Sequence, residues 1–237
     1  MSVRSFFLLL ALLLTSLFPL ACSSDRSAKI AASDVVSTIP WPPEEDLKYV
    51  LVDKSGKETG SADLTVSQQG QTTRLGQRFT NNQNSDVISV VVDSQTLKPL
   101  SSTRTITAAT NKEELSTTYA NGIALIKQGD KQSGLSEPEH SYDNDTSLFL
   151  WRTLRFEPGY QAGYVAIITN RRSRQNVAVK VIGTESVRVP AGDFQGWRLE
   201  IDAAGSRQTA WYADTPTRPL VKYDNSIGTF FELQTKP

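Results

Sequence analysis

A single thiol, a single imidazole and a loop of carboxylates are the groups in this sequence whose chemistry depends on where they stand. Cys22 is the only cysteine and follows Ala21, behind Arg4 and the apolar run Phe6–Leu14. A basic start, a short apolar core and a small residue before a cut make an export signal. A cysteine at the cut offers its thiol for lipid attachment, as in bacterial lipoproteins. His140 is the only histidine and sits between Glu139 and Ser141 in a polar stretch, and no Gly-x-Ser-x-Gly occurs. A nucleophile needs a base held beside it, so His140 reads as a solvated loop residue. Glu137, Glu139, Asp143 and Asp145 supply oxygens of the kind calcium takes. No glycine or closing glutamate stands where a calcium loop needs it, so the stretch reads as an acidic surface loop. No metal, cofactor or catalytic residue is assigned.

The export signal departs from the lipoprotein pattern at two positions. Pro19 stands where leucine is usual and Leu20 where a small residue is usual; only Ala21 fits. Cutting after Ser23 leaves a soluble exported protein. An uncut segment remains short of the roughly 20 apolar residues that span a bilayer, unless it extends to Ala21.

Three further groups carry a sharp reading and a bland one. Glu185 falls in register with Val187 and Val189, which places it in the core or at the wet end of a strand; buried glutamates are rare, and the second reading is preferred. Arg171, Arg172 and Arg174 cluster at a strand end, where solvation is normal and contact with phosphate headgroups is the alternative. Trp151, Trp197, Trp211 and Tyr212 fit a pocket inside a curved sheet, although aromatics fill sheet cores anyway. Trp197 leads an alternating Trp-x-Leu-x-Ile face and is expected to point inward.

Arg4 is the one charge removed with residues 1–21, which leaves 24 basic and 25 acidic side chains. That balance excludes a nucleic-acid partner, which demands a basic surface. Lipid, not charge, is then the expected membrane attachment. With no cysteine beyond Cys22, the fold must stand on its core without disulfides.

Positioning these groups falls to short strands. Residues 22–46 are rich in Ser, Ala, Asp and Pro and read as a tether. From Leu47 the chain alternates: Ala62, Leu64 and Val66; Val177, Val179 and Val181; Trp197, Leu199 and Ile201. Period two means one dry and one wet face. Asn121-Gly122, Asp53-Lys-Ser-Gly56 and Val189-Pro-Ala-Gly192 are turn signals between such runs. Residues 127–145 read as a long exposed loop. Asp145-Thr-Ser147 followed by Leu148, Trp151 and Leu154 predicts a short helix over about 147–156. The expected organisation is a signal (1–21), a tether (22–46) and one all-β domain (47–237).

Residues 146–235 resemble the TapB-like, or DUF3108-like, family of exported bacterial proteins of unknown function. The likeness rests on Arg152-Thr-Leu-Arg-Phe-Glu-Pro-Gly-Tyr160, Val179-Lys-Val-Ile-Gly-Thr-Glu185, Val189-Pro-Ala-Gly-Asp-Phe194 with Trp197, Trp211-Tyr212 and Pro219-Leu-Val-Lys-Tyr223. Asp193 replaces the threonine expected in the turn. The resemblance implies a single curved antiparallel sheet or partly open β-barrel, and transfers no activity. The expected function is that of a non-enzymatic envelope lipoprotein binding an apolar ligand or lipid. The alternative is an assembly protein docking another envelope protein, and an enzyme using Glu185 and Glu200 is the third reading.

Overall fold

A computed structural model describes residues 30–237, except Asn82 and Thr110. Cys22, the export signal and the first part of the expected tether lie outside the described residues. The first half of the domain holds β1 (Glu44–Asp53), β2 (Glu58–Gln69), β3 (Thr72–Asn81), β4 (Asn84–Asp93), β5 (Pro99–Ala108), β6 (Asn111–Ala120), β7 (Ile123–Gln128) and β8 (Lys131–Ser136). After β9 (Ser141–Asp143) and a helical segment come β10 (Gln161–Ile168), β11 (Ser173–Val189), β12 (Gly192–Ala203), β13 (Ser206–Ala213), β14 (Leu220–Asp224) and β15 (Thr229–Leu233).

All fifteen strands make one sheet, in the order β8-β7-β6-β5-β4-β3-β2-β1-β15-β14-β13-β12-β11-β10-β9. The sheet is antiparallel except for β9, which runs parallel to β10. Its two ends are β8 and β9, so the ladder does not close into a barrel.

Alternation builds the inner face. Leu47 and Tyr49, then Leu64 and Val66, then Ile88, Val90 and Val92 are buried on one side. On the other half, Val177, Val179 and Val181 pair with Ala203, Ile201 and Leu199 and share that core. Asn121 and Gly122 have φ of 53° and 72°, as a two-residue hairpin turn with positive φ at both positions requires.

Side chains bridge the unpaired ends. Arg172 Nε donates to Ser133 Oγ at 3.1 Å, and Arg174 donates to the carbonyl and hydroxyl of Ser136. Ile167 packs with Tyr119, Ala124 and Leu135 in a second small cluster across the same gap. Arg172 and Arg174 thus spend donors on β8 while remaining exposed, as Arg171 does.

The helical segment begins and ends three residues earlier than expected, and only four of its residues are α-helical. A 3-10 turn (Asn144–Thr146), α1 (Ser147–Leu150) and a second 3-10 turn (Trp151–Thr153) follow one another. Asp143 caps the start, its side chain accepting from the Asp145 amide at 2.9 Å. The run stops at Thr153 because Leu154 turns extended, with ψ 160°. Leu148, Phe149, Leu150, Trp151 and Leu154 are all buried in the main core, so the segment plugs the interior of the curved sheet. Among the described residues no helix is long and apolar enough to cross a membrane.

Two other expectations are corrected. Residues 127–145 are not one loop but carry β8 and β9. β8 is an end strand with no buried residue, so it lacks a dry face and shows no period. The ordered chain also begins before Leu47. Val35 is 2% exposed and Trp41 8% exposed, both within the main core. A chain beginning at Leu47 should therefore lose at least about 3–5 kcal/mol, the cost of removing a buried tryptophan. Urea unfolding against the longer chain measures it.

Candidate functional site

The plug is where the buried polar chemistry concentrates. Arg152 is 2% exposed and Glu45 8% exposed. Glu45 shares the inward parity of Leu47 and Tyr49 on β1, so the strand aims its carboxylate into the interior. The pair is bidentate, Nη1 to Oε2 at 2.6 Å and Nη2 to Oε1 at 3.1 Å. Nη2 also donates to the Thr217 carbonyl at 2.6 Å. The Trp41 ring lies over the guanidinium, 5.3 Å from ring centre to Cζ, and only Nε has no partner. Arg218 donates to the carbonyls of Arg152 and Leu154 at 3.3 and 2.8 Å. Tyr212 Oη donates to the Leu148 carbonyl at 2.7 Å, and Trp151 Nε1 donates to Tyr164 Oη at 3.0 Å. The carbonyls a short helix leaves unpaired are thus met by side chains from β13 and from the turn after it.

A second network joins the start of the plug to β4, β5 and β6. Arg104 Nε donates to Asp86 at 2.9 Å, and Nη1 lies 3.6 Å from Asp145. Tyr119 Oη donates to Asp143 Oδ2 at 2.6 Å, and the Gln77 amide donates to the Asp145 carbonyl. Three carboxylates here share one guanidinium. Burial first, and then the charge of Asp143, pushes Asp145 up to about 7. Burial also raises Asp143, against the hydrogen bond from Tyr119. Burial raises the Tyr119 hydroxyl far above its usual range.

The acidic loop thereby divides. Asp143 and Asp145 enter the buried network, while His140 Nδ1 approaches Asp34 Oδ1 at 3.3 Å. Burial raises Glu137. Among the described residues no group of three or more His, Cys, Asp or Glu is arranged to hold a metal.

The four aromatics do not line one pocket. Trp151 and Tyr212 are buried in the packed core. Trp197 pairs with Tyr212 across β12 and β13 but is only half-buried, its indole donating to Asp214 at 2.8 Å and its ring 5.8 Å from Phe156. Trp211 takes the opposite face, paired with Arg198, and donates to Glu185 Oε1 at 2.6 Å. Glu185 is exposed, beyond a bulge between Val181 and Gly183 that shifts the register. It shares Arg198 with Glu200, at 4.0 and 2.8 Å, so the two carboxylates meet an arginine on the outer surface rather than a cleft. Two surface hollows, lined by residues 112–114 with 128–131 and by 186–188 with 193–195, touch none of the four aromatics.

Sequence reasoning missed Glu45, Arg152, Arg104 and Asp86. A charge inside the apolar Leu148–Leu154 run and a glutamate two residues before Leu47 were the available signals.

Fold and site together define an open antiparallel β-barrel-like domain with a helical plug. Residues 46–233 match the model of the protein of unknown function family DUF3108, and the chain belongs to that family. The fold is shared with a β-barrel-like protein of domain of unknown function DUF1849 from Brucella abortus, at 11% identity and a TM-score of 0.54 over 84% of this chain and 98% of that one. A candidate lipoprotein from Parabacteroides distasonis ATCC 8503 is similar at 13% identity, covering 86% of this chain and 99% of that one, with a TM-score of 0.33. A candidate exported protein with a YmcC-like fold from Bacteroides fragilis NCTC 9343 is similar at 12% identity, covering 85% and 98%, with a TM-score of 0.28. No curated protein matches the sequence.

Two predictions arise here. Arg152→Ala strands a buried carboxylate and should cost about 3–5 kcal/mol, whereas Arg152→Met with Glu45→Leu should recover most of it; urea melts compare the variants. The raised carboxylates make the native state bind protons more tightly than the unfolded chain. Stability should therefore rise as the pH falls from about 7 to about 4, by at most about 1.4 kcal/mol per unit per proton. The gain is lost as the pH rises back through the Asp145 value of about 7. Asp145→Asn should flatten that slope in urea melts across the range.

Proposed function

We propose that the protein is an exported lipoprotein held to a bacterial membrane through Cys22, whose plugged domain docks another envelope protein and catalyses nothing. The observation carrying the docking role is the filled interior. Trp151 and Tyr212, expected to wall a ligand pocket, are buried, the first within the plug and the second against it, and spend their polar atoms on Tyr164 and Leu148. Binding is thereby assigned to the outside of the domain. Among the described residues the histidine meets Asp34 at 3.3 Å, a partly exposed contact with no serine hydroxyl bonded to its ring, which supports the non-enzymatic reading. The anchor is supported by the Ala21-Cys22 junction behind the apolar run.

Cys22→Ala should move the protein from the membrane to the soluble fraction; an unmodified mature chain starting at Ser24 would overturn the anchor. Titration with a bulky apolar fluorophore should leave tryptophan emission unchanged. Saturable quenching would restore the ligand-carrier reading. A hydrolytic activity abolished by His140→Ala would overturn both binding roles.

A further inference from the structure

Residues 30–38 join no strand ladder and run past Lys98, His140, Tyr142, Thr153 and Gly163, which together make the groove they occupy. Their contacts are few and separable. The Ser33 amide donates to the Gly163 carbonyl at 2.9 Å, and the amides of Ser37 and Thr38 donate to the Thr153 carbonyl at 3.0 and 3.1 Å. The close approach at β10 needs a residue without a side chain. A Cβ on Gly163 would stand 3.0 Å from the carbonyl oxygens of Ile30 and Ala31.

Two side chains give the segment its register. Val35 is buried in the main core. Asp34 is mostly exposed, yet it meets Lys98 Nζ at 2.9 Å, His140 Nδ1 at 3.3 Å and the Tyr142 hydroxyl at 3.4 Å. Lys98 in turn sits 4.3 Å from the centre of the Tyr142 ring. The groove thus offers a backbone acceptor on a strand edge, an apolar socket and a basic latch. These are the elements by which extended peptides are recognised: main-chain bonds for affinity and side-chain pockets for specificity. The occupant lies outside residues 46–233, which carry the family match, whereas Lys98, His140, Tyr142, Thr153 and Gly163 lie inside it. Pro40 and the buried Trp41 hold the segment's far end, so residues 30–38 can lift while β1 stays in place.

We propose that this groove is a peptide-docking site, closed in cis by residues 30–38, for an extended partner segment in which a carboxylate precedes a β-branched apolar residue. The proposal names the partner chemistry of the docking role and rests on that reading. Withdrawal of the strap opens the site, and the strap itself is the template for what enters.

The test uses the full chain and a fluorescein-labelled peptide of residues 30–38. Asp34→Lys in the chain sets a cation against Lys98 and should open the strap. Apparent affinity scales with the fraction of chain whose groove is open, so the labelled peptide should bind this variant about tenfold more tightly than the unmodified chain, by fluorescence anisotropy. A charge swap guards against misfolding. A Lys98→Glu chain should bind the peptide carrying Asp34→Lys in preference to the unaltered one, while the unmodified chain shows the reverse order. Hydrogen exchange reports whether residues 30–38 have opened. Opened straps with no gain in peptide binding would overturn the docking site, and a strap that stays protected in both variants would overturn the latch. Either result would leave surface docking to be judged by the apolar-probe titration.

Discussion

A guanidinium is costly in an apolar interior unless most of its donors are met, and Arg152, with only Nε unpaired, is held from three directions. Glu45 comes from β1 at the middle of the sheet, Thr217 from the turn between β13 and β14, and Trp41 from the segment before β1. Moving the plug by one residue would break all three contacts together. The pair's net contribution to stability is small, because removing both charges from water offsets most of their attraction. Its effect is positional: it fixes where α1 lies, and α1 in turn fixes Tyr212, Tyr164 and the carbonyls capped by Arg218.

The second network differs in its charge balance. Arg104 faces Asp86 and Asp145 directly, with Asp143 close behind. Asp143 and Asp145 are the buried members, and burial raises both, so this pair holds a proton more tightly than free carboxylates do. The two networks grip opposite ends of the same short helical segment. One end is set by a closed ion pair and the other by a cluster in which burial raises Asp145 to about 7.

Much of this was legible in the sequence. The runs at 62–66, 177–181 and 197–201 have one apolar face each, and Asn121-Gly122 admits few alternatives as a turn. The pocket was not legible, although one clue stood in plain view. Trp211 and Tyr212 are neighbours on a strand, and neighbours point to opposite faces. They could not line one cavity, and they do not. β8 escaped because an end strand with no buried residue carries no period. Trp41 and Val35 escaped because composition describes a segment's average, while packing uses single side chains. Arg152 escaped because a buried charge is recognised only when its partner, here 107 residues away, is known.

The order of strands has one more consequence, for how the chain can assemble. Every ladder except one joins strands that are neighbours in sequence; the exception is β1 with β15. Cut between β8 and β9 and rejoined end to end, the chain would trace the sheet from edge to edge in order, as a meander in all but the parallel β9–β10 step. The natural chain is that meander opened at its middle. Among the ladders, one alone needs a distant closure, Tyr49–Asp53 against Thr229–Leu233. The entropy of such a closure grows only with the logarithm of loop length. Local hairpins can build each half without that closure.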